Sequence, residues 1–376
     1  IFTPTDDTED DNNTITLAAS WTDQVGNPGT SVTTSNFKVD TKSPTVISFT
    51  FSATDYTSFF NSNNIKYPGL KPGDNATLTL VFSEVVTNFS SAANITADNV
   101  SLATMTSTDN NITWTGIFTP TDNISALNNT LTLADGYTDI VGNTGTGTSA
   151  KWSVDNVTSN YVIDTLAPSI SGAVAITGAG IQNNFLNAGD NVSVTVTFSE
   201  NVLVTNTPQL TLAVGEDNHT ADYTSSGSGA TTKVFTYTIQ TGDNDTDGIR
   251  IGENALAFNS GTIRDAAGNY ATNLDHIAVS DNENYMVDTT PPTVSSVAIT
   301  SAEGIQNSFV NAGDNVSVTA TFSERVIVVS GTPTLTLVVG STDRTATYAS
   351  GSWTSGSGST PLVFRYTIQA GDTNDD

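Results

Sequence analysis

The sequence predicts an all-β chain of sandwich domains in tandem, and three observations lead there. Composition is the first: Thr, Ser, Asn and Gly supply most of what lies outside the 36% hydrophobic fraction, a mixture suited to strands and tight turns. Alternation is the second. Leu78, Leu80 and Phe82, and again Val192, Val194, Val196 and Phe198, fall on one face of extended segments, while helical spacing is absent throughout. The third is a repeated ending, an Asp-x-x-Gly-Asn turn followed by an Asp-Thr-x-x-Pro joint. It occurs as Asp23 to Asn27 with Asp40 to Pro44, as Asp139 to Asn143 with Asp164 to Pro168, and as Asp265 to Asn269 with Asp288 to Pro292.

The endings divide the chain. Residues 1–42 read as the second part of a domain, because Ile1-Phe2-Thr3-Pro4-Thr5-Asp6 matches Ile117-Phe118-Thr119-Pro120-Thr121-Asp122. Residues 43–166 and 167–290 read as complete domains. Each carries Gly-Asp-Asn (from Gly73; from Gly189) shortly before Phe-Ser-Glu (from Phe82; from Phe198). Residues 291–376 repeat the opening of the preceding domain, with Phe322-Ser323-Glu324 and Tyr366-Thr367-Ile368-Gln369 at the matching places. A chain that opens and closes inside a domain is expected to be an excerpt from a longer array. In the second complete domain, strands are expected at Gln209 to Val214, at Lys233 to Gln240 with Phe235, Tyr237 and Ile239 inward, at Ala255 to Phe258 and at Ile277 to Val279. Roughly seven short strands in a unit of about 120 residues, separated by Gly, Asn and Asp turns, fit a Greek-key sandwich of immunoglobulin type.

Charge narrows the partners. With 38 acidic and 11 basic residues the net charge is -27, which repels nucleic acid and anionic membrane and attracts divalent cations. No cysteine is present, so disulfides brace nothing here. No apolar run reaches the length of a membrane span.

In such a sandwich the loop after the second strand and the turn before the last strand lie at the pole where the chain enters. Glu84 and Asp139 are then expected to meet the linker residue Asp40, and Glu200 and Asp265 to meet Asp164. Asp288 and Glu324 begin a third set. Three carboxylates at one joint repel one another unless a cation sits among them. Ca²⁺ suits the set, since it takes six to eight oxygen ligands in flexible geometry; zinc would want His or Cys. Each piece also has a plainer use, because Asp-x-x-Gly-Asn makes a good turn and Asp-Thr-x-x-Pro an extended linker.

Asp243, Asp245 and Asp247, ahead of Gly248, resemble the front half of a calcium loop. Position twelve is Asn254 rather than Glu and the flanks are strands, so the alternatives are a non-helical calcium loop at the opposite pole and a solvated acidic turn. Asp372 to Asp376 matches it in the last segment. Asn75, Asn94, Asn156 and Asn315 each open an Asn-x-Ser/Thr triplet that permits glycosylation. No catalytic constellation is recognisable: His219 and His276 read as solvated surface residues, and the Trp residues as core or edge packing.

With the repeating units, the Phe-Ser-Glu strand end, the Asp-x-x-Gly-Asn turn and the Val-Asp-Thr-x-x-Pro joint in place, the chain resembles the bacterial immunoglobulin-like repeats of large surface proteins, repeat-rich adhesins among them. The resemblance implies a secreted or cell-surface location, tandem sandwiches, and calcium at joints that stiffens the array. Its partners would be neighbouring repeats of the same chain. The leading function is therefore a calcium-braced extracellular spacer or stalk. Two others stay open: a surface layer, sheath or filament held by contacts with other copies of the chain, and a carbohydrate-binding module, which would need an exposed aromatic platform.

Overall fold

A strand that buries one face alternates apolar with polar side chains, and Ala76–Phe82 does so: Ala76, Leu78, Leu80 and Phe82 are buried, and the residues between them are not. The computed structural model describes residues 1–53, 57–60, 66–153, 159–224, 231–351 and 361–373, with the backbone alone at 57–60 and 66–68. Asn156, Trp353 and Asn374 to Asp376 lie outside the described residues.

In the first complete unit, Ala76–Phe82 pairs with Val46–Ala53 on one side and Thr113–Pro120 on the other, and Lys151–Trp152 closes the edge in parallel. A second sheet joins Ser125–Leu133 to Asn160–Asp164, which runs parallel to Lys66–Leu70. The sheets share one core. Phe51 and Phe118 from the first reach Tyr161 from the second, each with ring centroids 5.7 Å away.

The second unit is built likewise, with a sheet ordered Ala175–Ala179, Asn191–Thr197, Thr232–Thr238, Asp217–Thr224, Gln209–Val214 and Leu256–Ala257. Shorter ladders face it: Phe185–Leu186 with Met286–Asp288 and Asn244–Asp245, and Leu203–Thr205 with Thr262–Arg264. Phe235, Tyr237 and Ile239 point inward as expected. One strand was not anticipated, and one expectation needs correction. Asp217–Thr224 is a full strand despite its polar sequence, because it is flanked by Gln209–Val214 and Thr232–Thr238 and need bury only Ala221 completely. Ile277 to Val279 is not a strand; Val279 makes one bridge to Ile251 and Ile277 faces solvent.

The last segment holds a five-stranded sheet in the order Val294–Ala302, Asn315–Phe322, Leu362–Thr367, Thr342–Ser350, Thr334–Val339, as in the second unit. Leu335, Leu337 and Val339 are only half-buried, whereas Leu210, Leu212 and Val214 at the matching places are fully covered. Residues 9–40 form two ladders, Glu9–Asn13 with Phe37–Asp40 and Thr16–Leu17 with Val32–Thr33, and expose most of their side chains. Each buried apolar cluster lies within one predicted unit: Phe49 to Ile163, Val174 to Val287, and Val316 to Ile368.

Candidate metal centres at the linkers

The Asp-x-x-Gly-Asn turn forms from its own letters. Asp139 Oδ1 accepts the amides of Val141, Gly142 and Asn143 at 2.6–2.9 Å, and Oδ2 accepts the Asn143 side-chain amide at 2.7 Å. Gly142 supplies the positive φ of 104° that closes the turn. Asp265 repeats this with Gly268 and Asn269. Asp23 does the same in full solvent, with Val25 and Asn27. The turn reading is therefore correct at all three places, and closing the turn does not require a cation.

What differs at the two interior turns is the company they keep. Carboxylate oxygens of Asp40, Glu84 and Asp139 lie within 4.8 Å of one another, and so do those of Asp164, Glu200 and Asp265. Each set takes a residue from the linker, one from the loop after the alternating strand (Ala76–Phe82 or Asn191–Thr197, which, against expectation, is not the second strand of its unit), and one from the turn. Asp288 and Glu324 also meet, since the charge and hydrogen bonding of Asp288 help burial to raise the Glu324 carboxyl.

Three residue types that sequence reasoning missed hold these sets together. The linker threonines pin the joint to the preceding unit: Thr165 Oγ1 accepts the Ile124 amide at 2.9 Å and donates to the Thr121 carbonyl at 2.7 Å, and Thr41 and Thr289 do the same work. The serine of Phe-Ser-Glu catches the chain just past the joint, Ser199 Oγ accepting from Ser169 N, Ser83 Oγ from Thr45 N and Ser323 Oγ from Thr293 N. The turn asparagine ties turn to linker. Asn269 Nδ2 donates to the Asp164 carbonyl at 2.9 Å, and Asn143 Nδ2 to the Asp40 carbonyl at 3.3 Å. The available signal was repetition, since all three letters recur in every complete copy.

Electrostatics separate the two sets. At the second joint, burial pushes Asp164 up to about 6 and Glu200 up to about 7, with the neighbouring charges of Asp265, and for Glu200 also Asp164, adding to it. Asp164 Oδ1 and Asn269 Oδ1 are buried there without a hydrogen-bond partner. At the first joint, burial again raises Glu84, followed by Asp40, Asp139 and Glu9, but Lys42 opposes them. Burial also works on Asp139, yet the hydrogen bonds from Asn143, Val141 and Gly142 outweigh it and hold that carboxyl low. Both sets offer oxygen donors alone, with no His or Cys among them, the donor chemistry that suits a hard cation of Ca²⁺ type.

The acidic loop near Asp243 is built differently from the calcium loop it resembles. Asp243 Oδ2 accepts from Tyr237 Oη at 2.7 Å and Gln240 N at 2.8 Å. Asp245 is buried, with Oδ2 on Gly215 N and Oδ1 on Gly248 N and Asp247 N. Asp243, Asp245 and Asp247 are not among the convergent carboxylate sets, and Asp243 Oδ2 and both Asp245 oxygens accept from the protein's own donors. His276 is also not a surface residue: it is buried, Nε2 accepting from Ala255 N at 2.9 Å and Nδ1 facing the Ile277 carbonyl, so it satisfies backbone. His219 is partly buried.

Residues 40–155 match the family model of the bacterial Ig-like domain, a stretch that takes in linker residue Asp40 and most of the first complete unit but stops before its strand Asn160–Asp164. No curated protein matches the sequence. No helix among the described residues is long and apolar enough to cross a membrane.

Proposed function

We propose that this chain is an extracellular spacer segment of a bacterial surface protein, whose sandwich units are held at fixed angles by Ca²⁺ bound at the linkers. Support comes first from the second joint. Three carboxylates converge there beside two buried oxygens, Asp164 Oδ1 and Asn269 Oδ1, that have no donor. Buried oxygens without donors cost free energy, and a cation would satisfy both while cancelling the repulsion that adds to burial in raising Glu200 and Asp164.

Mechanically, the ligands come from both sides of the joint. Asp164 belongs to the linker, while Glu200 and Asp265 belong to the unit that follows. Without the ion the three charges push the linker away from that unit; with it, one interdomain angle is favoured over many. Thr165 and Ser199 already fix the linker on both flanks, so the cation has only a short span to order.

Isothermal titration of the chain with CaCl₂ tests this reading. Saturable binding at two or more sites, with Mg²⁺ much weaker because it demands tighter octahedral geometry, is the expected result. A flat Ca²⁺ isotherm at pH 7.5 would remove the basis of the proposal.

A further inference from the structure

The second unit and the last segment share a hairpin. Leu212 faces His219 across the Gly215 turn, and Leu337 faces Arg344 across the Gly340 turn. His219 and Arg344 therefore occupy the same place, and each reaches the same loop. In the last segment, Asp372 Oδ2 accepts from Tyr366 Oη at 2.6 Å and Gln369 N at 2.8 Å, while Oδ1 accepts from Arg344 Nε at 2.8 Å and Nη2 at 2.5 Å. In the second unit, Asp243 Oδ2 has the equivalent Tyr237 and Gln240 donors, but Oδ1 faces His219 Nε2 at 3.5 Å, and that nitrogen is buried with no hydrogen-bond partner.

From this pairing we infer that His219 is a proton-operated latch, which ties the Gln240–Asp243 loop to its sheet when Nε2 is protonated and leaves it loosely held when Nε2 is bare. The hydrogen-bond directions require this. Burial and the Asp243 carboxylate keep the Tyr237 hydroxyl protonated, so it donates to Asp243 and its oxygen accepts from His219 Nδ1–H at 2.9 Å. In the neutral ring the proton is then on Nδ1, and Nε2 turns a lone pair toward a carboxylate oxygen. Protonation replaces that lone pair with a charged N–H, the contact that Arg344 makes permanently in the sister unit. The titratable groups facing the ring are Tyr237 and Asp243; Leu212, opposite on the neighbouring strand, is uncharged, and Asp217 shares its face two residues back along its own strand.

The latch acts on the next linker. Gly242 N donates to Thr289 Oγ1, Thr289 Oγ1 donates to the Asp243 carbonyl, and Asn244 pairs with Asp288. A loop held tighter at Asp243 holds Asp288 to Thr290 tighter. The latch itself needs no Ca²⁺, because neither oxygen of Asp243 enters a candidate cation set among the described residues, and it meets the Ca²⁺ reading only at Asp288.

Amide hydrogen exchange of the whole chain, corrected for intrinsic rates, tests it between pH 7.5 and 5.5. Protection at Gln240 and Gly242 should rise about tenfold as pH falls, the scale of one charge-assisted hydrogen bond, while Gln369, beside Arg344, stays level. His219→Arg should give the high protection at every pH, and His219→Gln the low one. Equal pH dependence at Gln240 and Gln369, or pH dependence that survives in His219→Gln, would overturn the latch.

Discussion

The two complete joints use the same three letters and differ in what surrounds them. At the first, the strand residue paired with linker Asp40 is Glu9, and Lys42 follows two residues after Asp40, 3.8 Å from the Glu9 carboxylate. At the second, Ser125 pairs with Asp164 and Leu166 takes the place of the lysine. The first joint thus carries a lysine whose charge opposes the rise of Glu84, whereas at the second Arg264 reaches the Asp265 carbonyl and no basic group offsets the rise of Glu200 and Asp164. The raised carboxyls and the donorless oxygens are concentrated at the second. A shared motif fixes where charges meet, and neighbours outside the motif fix how strongly a mobile cation is needed.

The largest expected effect comes from deleting one charge at the deeper joint. Asp164→Asn keeps the linker's shape and removes a ligand, so Ca²⁺ affinity at that joint should fall at least about tenfold, about 1.4 kcal/mol, with the first joint unchanged. Site-resolved NMR titration separates the two. A uniform loss at both joints would break the comparison.

Acidity should act with opposite sign on the raised acids of the second joint and on Asp139 of the first, where Glu84 is raised as well. Glu200 at about 7 and Asp164 at about 6 lie above their unfolded values near 4. The cation-free second joint therefore gains stability as pH falls from about 7 toward 4, and loses it as pH rises back through those values. Asp139 is held low, so its contribution is present above about 4 and lost only as pH falls through its lowered value. Thermal unfolding in chelator should show the second unit melting higher at pH 5.5 than at 7.5, and Glu200→Gln should flatten most of that difference. With Ca²⁺ present the trend reverses, because protons then compete with the ion.

Exchanging the neighbours sharpens the comparison further. Lys42→Leu should strengthen Ca²⁺ binding at the first joint by a few fold, and Leu166→Lys should weaken it at the second by a similar factor, since exposed charges contribute less than about 1 kcal/mol each. Calorimetry on the two variants reads both directions. Thr165→Val has the smallest expected effect: about 1 kcal/mol of local stability for its lost hydrogen bonds, seen as faster amide exchange at Ile124, with Ca²⁺ stoichiometry intact.

Much of this was legible in the sequence. The repeated endings located the joints, and sandwich topology gathered acids as distant in sequence as Asp40 and Asp139. Period-two alternation located the buried strands, because one covered face writes itself into every second letter. It gives no signal at Asp217–Thr224, where flanking strands rather than side-chain burial hold the backbone, and it over-read Ile277 to Val279, where Ile277 faces outward and Val279 makes a single bridge. At the Asp243 loop the alternating letters give no sign that Tyr237 and backbone amides take Asp243 Oδ2 and both Asp245 oxygens, because donors such as Tyr237 and Gly215 come from other parts of the fold. The contrast between Lys42 and Leu166 lies in positions that the motif leaves open, and only the three-dimensional neighbourhood of Glu84 gives it meaning.

Small-angle scattering of the whole chain, with Ca²⁺ and then with excess chelator at pH 7.5, addresses the central claim most directly. Ordered joints predict a larger maximum dimension and a narrower distance distribution with Ca²⁺, both lost on chelation while the sandwiches keep their circular-dichroism signal. Superimposable curves would contradict the account.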